Sequence, residues 1–384
     1  MHAHSAAHIV ANSTSGKDEG IDRSVLYSFT PSPASTASTV TLKSLGLAVR
    51  GVLQSICGEK THILRMHQAQ HGEVAVVFVH LQLCMVLLVL PGWLPDPVAS
   101  SLALGLAQCM VLLAGPSPLW VELLPEEDGG DYLSLLPTLP PLFDRLCDGL
   151  LRQVGRPGWA RGLPSCVMDP GVLYLSLGGD KQAELEAMLS AHEADGQAGA
   201  RASSPQPASS TPQYSFYCRS CCLMYRGLTV WSGLTPPDTR LTWQLCWALG
   251  VHSQVAPLPC QVAMHRIYPA APNPDACAAD GGSGGDDSGA AAGAGACGRG
   301  TDQSQPSSLL ILVSACHVVL AVVLTAYDED IEEAAGQVEA SAAVELLARV
   351  HATFSTDLSS AAASSALLHA LAWPESEAGM GGGG

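Results

Sequence analysis

Positive charge is what this sequence has least of. Its 384 residues include 18 Lys and Arg against 35 Asp and Glu, a formal net charge of −17 at pH 7. Affinity for nucleic acid rests on clustered cations, and no basic stripe is visible, so a nucleic-acid partner is excluded from the reading. The opening residues, Met1 to Gly20, lack the apolar core of a signal peptide. The 13 cysteines are odd in number and follow no framework spacing. These absences predict a reducing, cytosolic compartment, with cysteines such as Cys84, Cys109 and Cys316 acting as small core hydrophobes.

What the sequence does have is two long apolar runs, Val74 to Leu90 and Leu309 to Leu324. Each is an apolar block, a break that holds a histidine (His80-Leu81-Gln82; Ser314-Ala315-Cys316-His317) and a second apolar block. Both are long enough for a membrane span, and a two-span integral membrane protein stays open as the alternative of another class. Against it, His80, Gln82 and His317 would each cost several kcal/mol inside a bilayer. No Lys or Arg cluster flanks either run to set orientation. Cut at its break, each run gives two blocks of ordinary strand length. Strands that read as continuous apolar runs are buried on both faces, so two buried hairpins are the better reading.

Around the two runs the same elements recur in the same order. His8 to Ala11 and Ser24 to Phe29 read as a hairpin. Thr41 caps a helix to about Ile56, with a one-sided stripe of Leu42, Leu45, Val49, Val52, Leu53 and Ile56. A strand from His62 to Met66, the first apolar pair and a helix from about Val98 to Leu113 follow, and Gly115-Pro116 stops that helix. The second copy opens on the hairpin Cys221 to Tyr225 and Leu228 to Ser232, turned by Arg226-Gly227. Thr235-Pro236-Pro237-Asp238 begins a helix that runs from Thr239 to Leu249. A strand over Val262 to Tyr268, the second apolar pair and a helix from the acidic stretch Asp328 to Glu333 to about Phe354 complete it. Between the copies lie a helix over Leu139 to Val154, a strand over Val172 to Leu177 and an acidic helix from Asp180 to His192.

The expected fold class is α+β, with two units, each an antiparallel-rich five-stranded sheet flanked by helices. The division is a first unit over 1–118, a helical connecting region over 119–196 and a Ser/Pro/Ala linker over 197–212. A second unit over 213–356 carries a Gly-rich disordered insertion at 269–307, and a low-complexity tail covers 357–384.

Motifs for chemistry are few. Cys218-x-x-Cys221-Cys222 is the best metal candidate, but a tetrahedral zinc site needs four ligands and no second C-x-x-C exists. Gly178-Gly179-Asp180-Lys181 lacks phosphate-loop spacing and reads as a turn with Asp180 near a helix N-cap. Cys316-His317 is not a dyad by adjacency alone. The acidic patches Asp328 to Glu333 and Glu126-Glu127-Asp128 read as solvated surface. No catalytic residue, metal ligand or cofactor is assigned.

Leu223 to Asp238 (LMYRGLTVWSGLTPPD) resembles the second-unit hairpin of the longin-domain family that groups the Ccz-type vacuolar fusion proteins, inturned and the Hermansky–Pudlak exchange-factor subunit. The quartet Trp231-Ser232-Gly233-Leu234 is most similar to the Ccz-type members. The SVLYSFTPS segment, the 42–56 helix, the Pro after the first strand pair and Leu113-Ala114-Gly115 are similar to family features as well. The resemblance runs from about His8 to Phe354 and implies two longin-like units, with the family's third expected to be absent. It implies a subunit of a Mon–Ccz-type guanine-nucleotide exchange complex, with a Mon-type longin protein and a late-endosomal Rab GTPase as partners. It also implies a cytoplasmic protein held peripherally on late-endosomal or vacuolar membrane through that complex. A related longin-family subunit in planar polarity or lysosome-related organelle biogenesis is the alternative within the family. Partner contact is expected on the exposed side of the 42–56 helix, including Lys43 and Arg50, and on the strand carrying His62, Leu64 and Met66.

Overall fold

The computed structural model describes residues 5–11, 25–31, 62–68, 72–125, 131–154, 174–201, 216–251, 261–268, 308–326 and 333–364. The helix expected over 42–56, the insertion over 269–307 and most of the acidic stretch before the last helix lie outside them.

Neither apolar run is a helix. The first forms β4 (Gly72–His80) and β5 (Cys84–Pro91), joined through a turn in which Leu81 N–H reaches Cys84 O at 2.9 Å. With β1 (Ala6–Ala11), β2 (Val25–Phe29) and β3 (Ile63–Gln68) they make a five-stranded sheet in the order β2-β1-β5-β4-β3. Every neighbouring pair in it is antiparallel. The helix α1 (Asp96–Ala114) follows, with Pro at its first turn, where a missing N–H costs nothing.

The second copy consists of β8 (Phe216–Tyr225), β9 (Leu228–Ser232), β10 (Gln261–Ile267), β11 (Ser308–Ala315) and β12 (Val318–Ala326). Its sheet order is β9-β8-β12-β11-β10, again all antiparallel. Numbered within each unit, both sheets read 2-1-5-4-3. The helix α4 (Pro236–Ala248) lies between the second and third strands, and α5 (Glu333–Ser364) follows the fifth. Two of the hairpins turn on central residues in the left-handed region, Arg226-Gly227 at φ 49° and 79° and Cys316-His317 at φ 49° and 67°. That geometry matches the natural twist of the flanking strands.

In chain order, β6 (Val121–Pro125), β7 (Asp131–Leu135), α2 (Pro140–Val154) and α3 (Gly179–Arg201) link the first sheet to the second. Three buried clusters result. The largest lies between the sheets: Val77 and Leu88 of the first meet Leu106 and Met110 of α1 and Phe143 and Leu146 of α2. Leu245 and Trp247 of α4 then connect to Met224, Leu312 and Val319 of the second sheet. The second cluster puts Leu185 and Leu189 of α3 and Leu346, Val350 and Phe354 of α5 on the opposite face, against Val313, Leu320 and Val322. The third, Val10, Val76, Phe78, Leu87 and Val89, is the outer face of the first sheet. The central strands therefore bury both faces, the physical reason their sequences do not alternate. Each such Val or Leu contributes about 1.5–3 kcal/mol by leaving water.

Tyr27 on β2 donates to Asp144 Oδ1 on α2 at 2.6 Å and packs edge-on to Phe143, tying the first sheet to the connecting region. Four expectations need correction. The β6–β7 hairpin stands where only a connection was expected. The strand expected over 172–177 is, in its described part, a single parallel bridge from Tyr174 to Thr229, with Leu175 and Leu177 buried. The helix α3 runs on to Arg201, into the expected linker, because Gly196 and Gly199 only weaken a helix and no proline interrupts it before Pro205. The helix α5 runs to Ser364, into the expected tail, because Leu358 and Ala362 continue its buried face.

Candidate functional site

Of the residues expected to meet partners, the described ones, His62, Leu64 and Met66, lie together on and just before β3. The strand β3 is an edge strand, bonded to β4 alone among the described residues. The bond from Phe78 N–H to His62 O, at 2.8 Å, sets the alternation of its ladder. His62, Leu64 and Met66 spend their backbone groups on β4, and those of Ile63, Arg65 and His67 point to the open edge. Leu64 and Met66 turn their side chains onto the third core cluster and are half-buried, whereas His62 is exposed. Lys43 and Arg50 lie outside the described residues.

Arg65 braces this edge. Its guanidinium meets Glu73 at 2.9 Å and Asp96 at 2.7 Å, and donates to the carbonyls of Gly92 and Leu94 at 2.5 and 2.6 Å. These bonds, first with Glu73 and then with Asp96, hold its pKa above the usual value. Asp96 opens α1, so Arg65 fixes the edge strand to the start of the helix that covers its sheet. Sequence reasoning passed over Arg65; an Arg among apolar strand residues near a helix that starts on Asp was its only signal.

The quartet Trp231-Ser232-Gly233-Leu234 sits where β9 gives way to α4, on the second sheet. Trp231 packs on the second cluster and Leu234 on the largest. Ser232 Oγ lies 2.7 Å from Thr239 Oγ1 and accepts from Leu234 N–H at 3.2 Å, while Thr235 caps the helix by accepting from Asp238 N–H at 3.3 Å. Gly233 donates its N–H to Cys221 O at 2.9 Å, and any side chain there would strike the Glu193 carboxylate. Glu193, on α3, accepts the Cys221 N–H at 2.6 Å, and its partial burial raises its pKa against the lowering effect of that bond. The quartet is thus a joint between strand, helix and α3, with no group aimed at a substrate.

Cys221 and Cys222 are consecutive on β8 and point to opposite faces, into the second and the largest cluster. Burial pushes the Cys222 thiol up to about 12. Among the described residues no three His, Cys, Asp or Glu side chains come together as metal ligands. Asp180 stands in the first turn of α3, where the turn reading placed it. The helix α1 is the one described helix long and apolar enough to cross a membrane, with two-thirds of that apolar stretch buried inside the fold.

No protein-family model matches the chain, and no curated protein matches it in sequence.

Proposed function

We propose that the chain is a two-unit longin-like protein that acts by association, as a subunit of a Mon–Ccz-type guanine-nucleotide exchange complex for a late-endosomal Rab GTPase. The observation that carries the reading is the repeated 2-1-5-4-3 antiparallel order, with a helix after the fifth strand each time, joined to the resemblance of Leu223–Asp238. The open edge of β3 supports a docking role, since an unpaired edge is a template for another chain.

In this mechanism the first unit pairs along β3 with a Mon-type longin unit. The joint surface binds the Rab with its switch region displaced. Tighter binding to the nucleotide-free than to the nucleotide-bound state shifts the population and speeds release. No covalent step is needed, and the complex holds the protein peripherally on the late-endosomal or vacuolar membrane.

The test is co-expression with a Mon-type partner, followed by release of a fluorescent nucleotide from the Rab. The proposal expects co-purification and release above that of the partner alone, and neither occurring overturns it. His67→Pro refines the test. Proline there removes only an N–H that faces the open edge, so the β3–β4 ladder survives while partner pairing is blocked. Co-purification of this variant at the wild-type level would refute β3 as the docking edge.

A further inference from the structure

The second unit presents a different edge with a feature that β3 lacks. The helix α4 ends at Ala248 and Gly250 turns the chain away at φ 68°, and beside that turn a gap opens between α2 and the inner face of β10, where Ala263 and His265 stay only half-buried. The opening is a cleft of about 490 Å³. Its floor includes Ser314, 5 % exposed, and His265, and Arg145 on α2 lines its wall. Arg145 is exposed, and among the described residues no carboxylate pairs with it. Asp148, one turn further along α2, lines the cleft as well, but is engaged in an interaction of its own. Burial and then the nearby Arg145 charge lower the pKa of His265, so its imidazole is the neutral form at pH 7.

On the opposite face of the same strand, Val262 and Met264 are 43 % and 37 % exposed, although their partners on β11, Val313 and Ile311, are fully buried. Among the described residues β10 is bonded to β11 alone. One strand thus offers an unpaired backbone edge, an apolar face and a polar cleft whose unpaired charge is a cation.

We propose that β10 and this cleft form a docking site for an extended protein segment that adds to the sheet along β10. Side chains of a strand alternate between faces. Alternate residues of the segment lay apolar side chains on Val262 and Met264, and the residues between them direct an acidic side chain into the cleft toward Arg145. Arg presents a planar fork that matches a carboxylate with two parallel bonds. Backbone pairing supplies affinity and the alternating side chains supply specificity, the division of labour in strand addition. The site is separate from β3 and does not rest on the exchange-factor reading, which stands or falls with nucleotide release.

The test pans random nonapeptides displayed on phage against the full chain, then measures the selected peptides by fluorescence anisotropy. The expected winners alternate apolar and acidic residues. Met264→Lys and Arg145→Glu, both at exposed positions, each weaken their binding about tenfold or more, as loss of an apolar anchor or a close charge pair does. Panned afresh, Arg145→Glu selects Lys or Arg where the wild type selects Asp or Glu, a gain that misfolding cannot produce. No enrichment, winners without alternation, or winners that bind both variants as well as wild type would each overturn the proposal.

Discussion

The crossing at Gly149 of α2, from the connecting region, with α4, from the second unit, makes a sharp prediction. In the middle of a helix, Gly→Ala ordinarily stabilises by about 1 kcal/mol, because alanine loses less backbone entropy. Here a Cβ on Gly149 would overlap the backbone carbonyl oxygen of Ala248 outright. A backbone atom cannot swing aside as a side chain can, so α4 must shift bodily. Overpacking of this kind costs about 1–3 kcal/mol, and a rigid neighbour puts it near the top of that range. Subtracting the helix gain leaves Gly149→Ala about 2 kcal/mol less stable than wild type. At about 2–4 °C per kcal/mol, that is a fall of about 4–8 °C in melting temperature. Gly105→Ala on α1 is the control. The nearest atom there is the side-chain amide of Gln244 at 2.9 Å, which can rotate away, so this change is near neutral. Adding Ala248→Gly to Gly149→Ala brings no recovery, because the obstacle is a carbonyl and not a methyl group. A Gly149→Ala protein that melts at or above the wild-type temperature would refute the close crossing, and with it the shared core.

Three further outcomes follow from particular contacts. Cys316→Asn with His317→Gly, residues suited to the left-handed turn between β11 and β12, raises stability by about 1 kcal/mol or more in urea titration. Tyr27→Phe leaves the Asp144 carboxylate without the hydroxyl it accepts from, and costs about 1.5–3 kcal/mol in the same assay. Glu193 has a folded pKa above its ordinary value of 4.5, so its protonated form favours the fold. Its contribution is complete below that value and is lost as pH rises through the folded pKa. Glu193→Gln keeps an acceptor for Cys221 N–H and carries no charge, so its melting temperature gains on wild type as the pH is raised.

The two apolar hairpins are legible in the sequence because burial on both faces leaves no polar alternation and the histidine breaks mark the turns. The α4 start is legible from Thr235 and the two prolines, which cap and pre-set the first helical turn. The β6–β7 hairpin is not, since Val121–Pro125 is short and ends on proline, a pattern that a loop shares. The run of α3 to Arg201 is hidden because its Ala, Gly and Gln residues read equally as linker. At the candidate sites, His62–Met66 is readable as a strand, but its place at the sheet edge is set by the long-range pairing of β5 with β1 and is not. The exposure of Val262 and Met264 is not readable, because whether a strand's outer face is covered depends on where α5 crosses the sheet. Arg145 and His265 are 120 residues apart by their numbers, and nothing local brings them to one cleft.

Register decides how the units are stacked. Val77 paired with Leu88 in the first sheet occupies the place of Ile311 paired with Val322 in the second, and both pairs face the helix that follows the fifth strand. That helix, α1, points inward in the first unit, toward the second sheet. Its counterpart α5 points outward. What meets α1 from the second unit is α4, the helix between the second and third strands. Unlike faces therefore meet, and the stacking is head-to-tail and not two-fold. A two-fold contact would bury the same face of both units and close the assembly, whereas a head-to-tail contact leaves unlike faces at its two ends. The edges β3 and β10 are equivalent strands, but they stand in different surroundings for this reason. The first is braced by Arg65 to α1. The second borders a cleft whose wall, α2, belongs to the connecting region, so equivalent strands of the two units present two different surfaces.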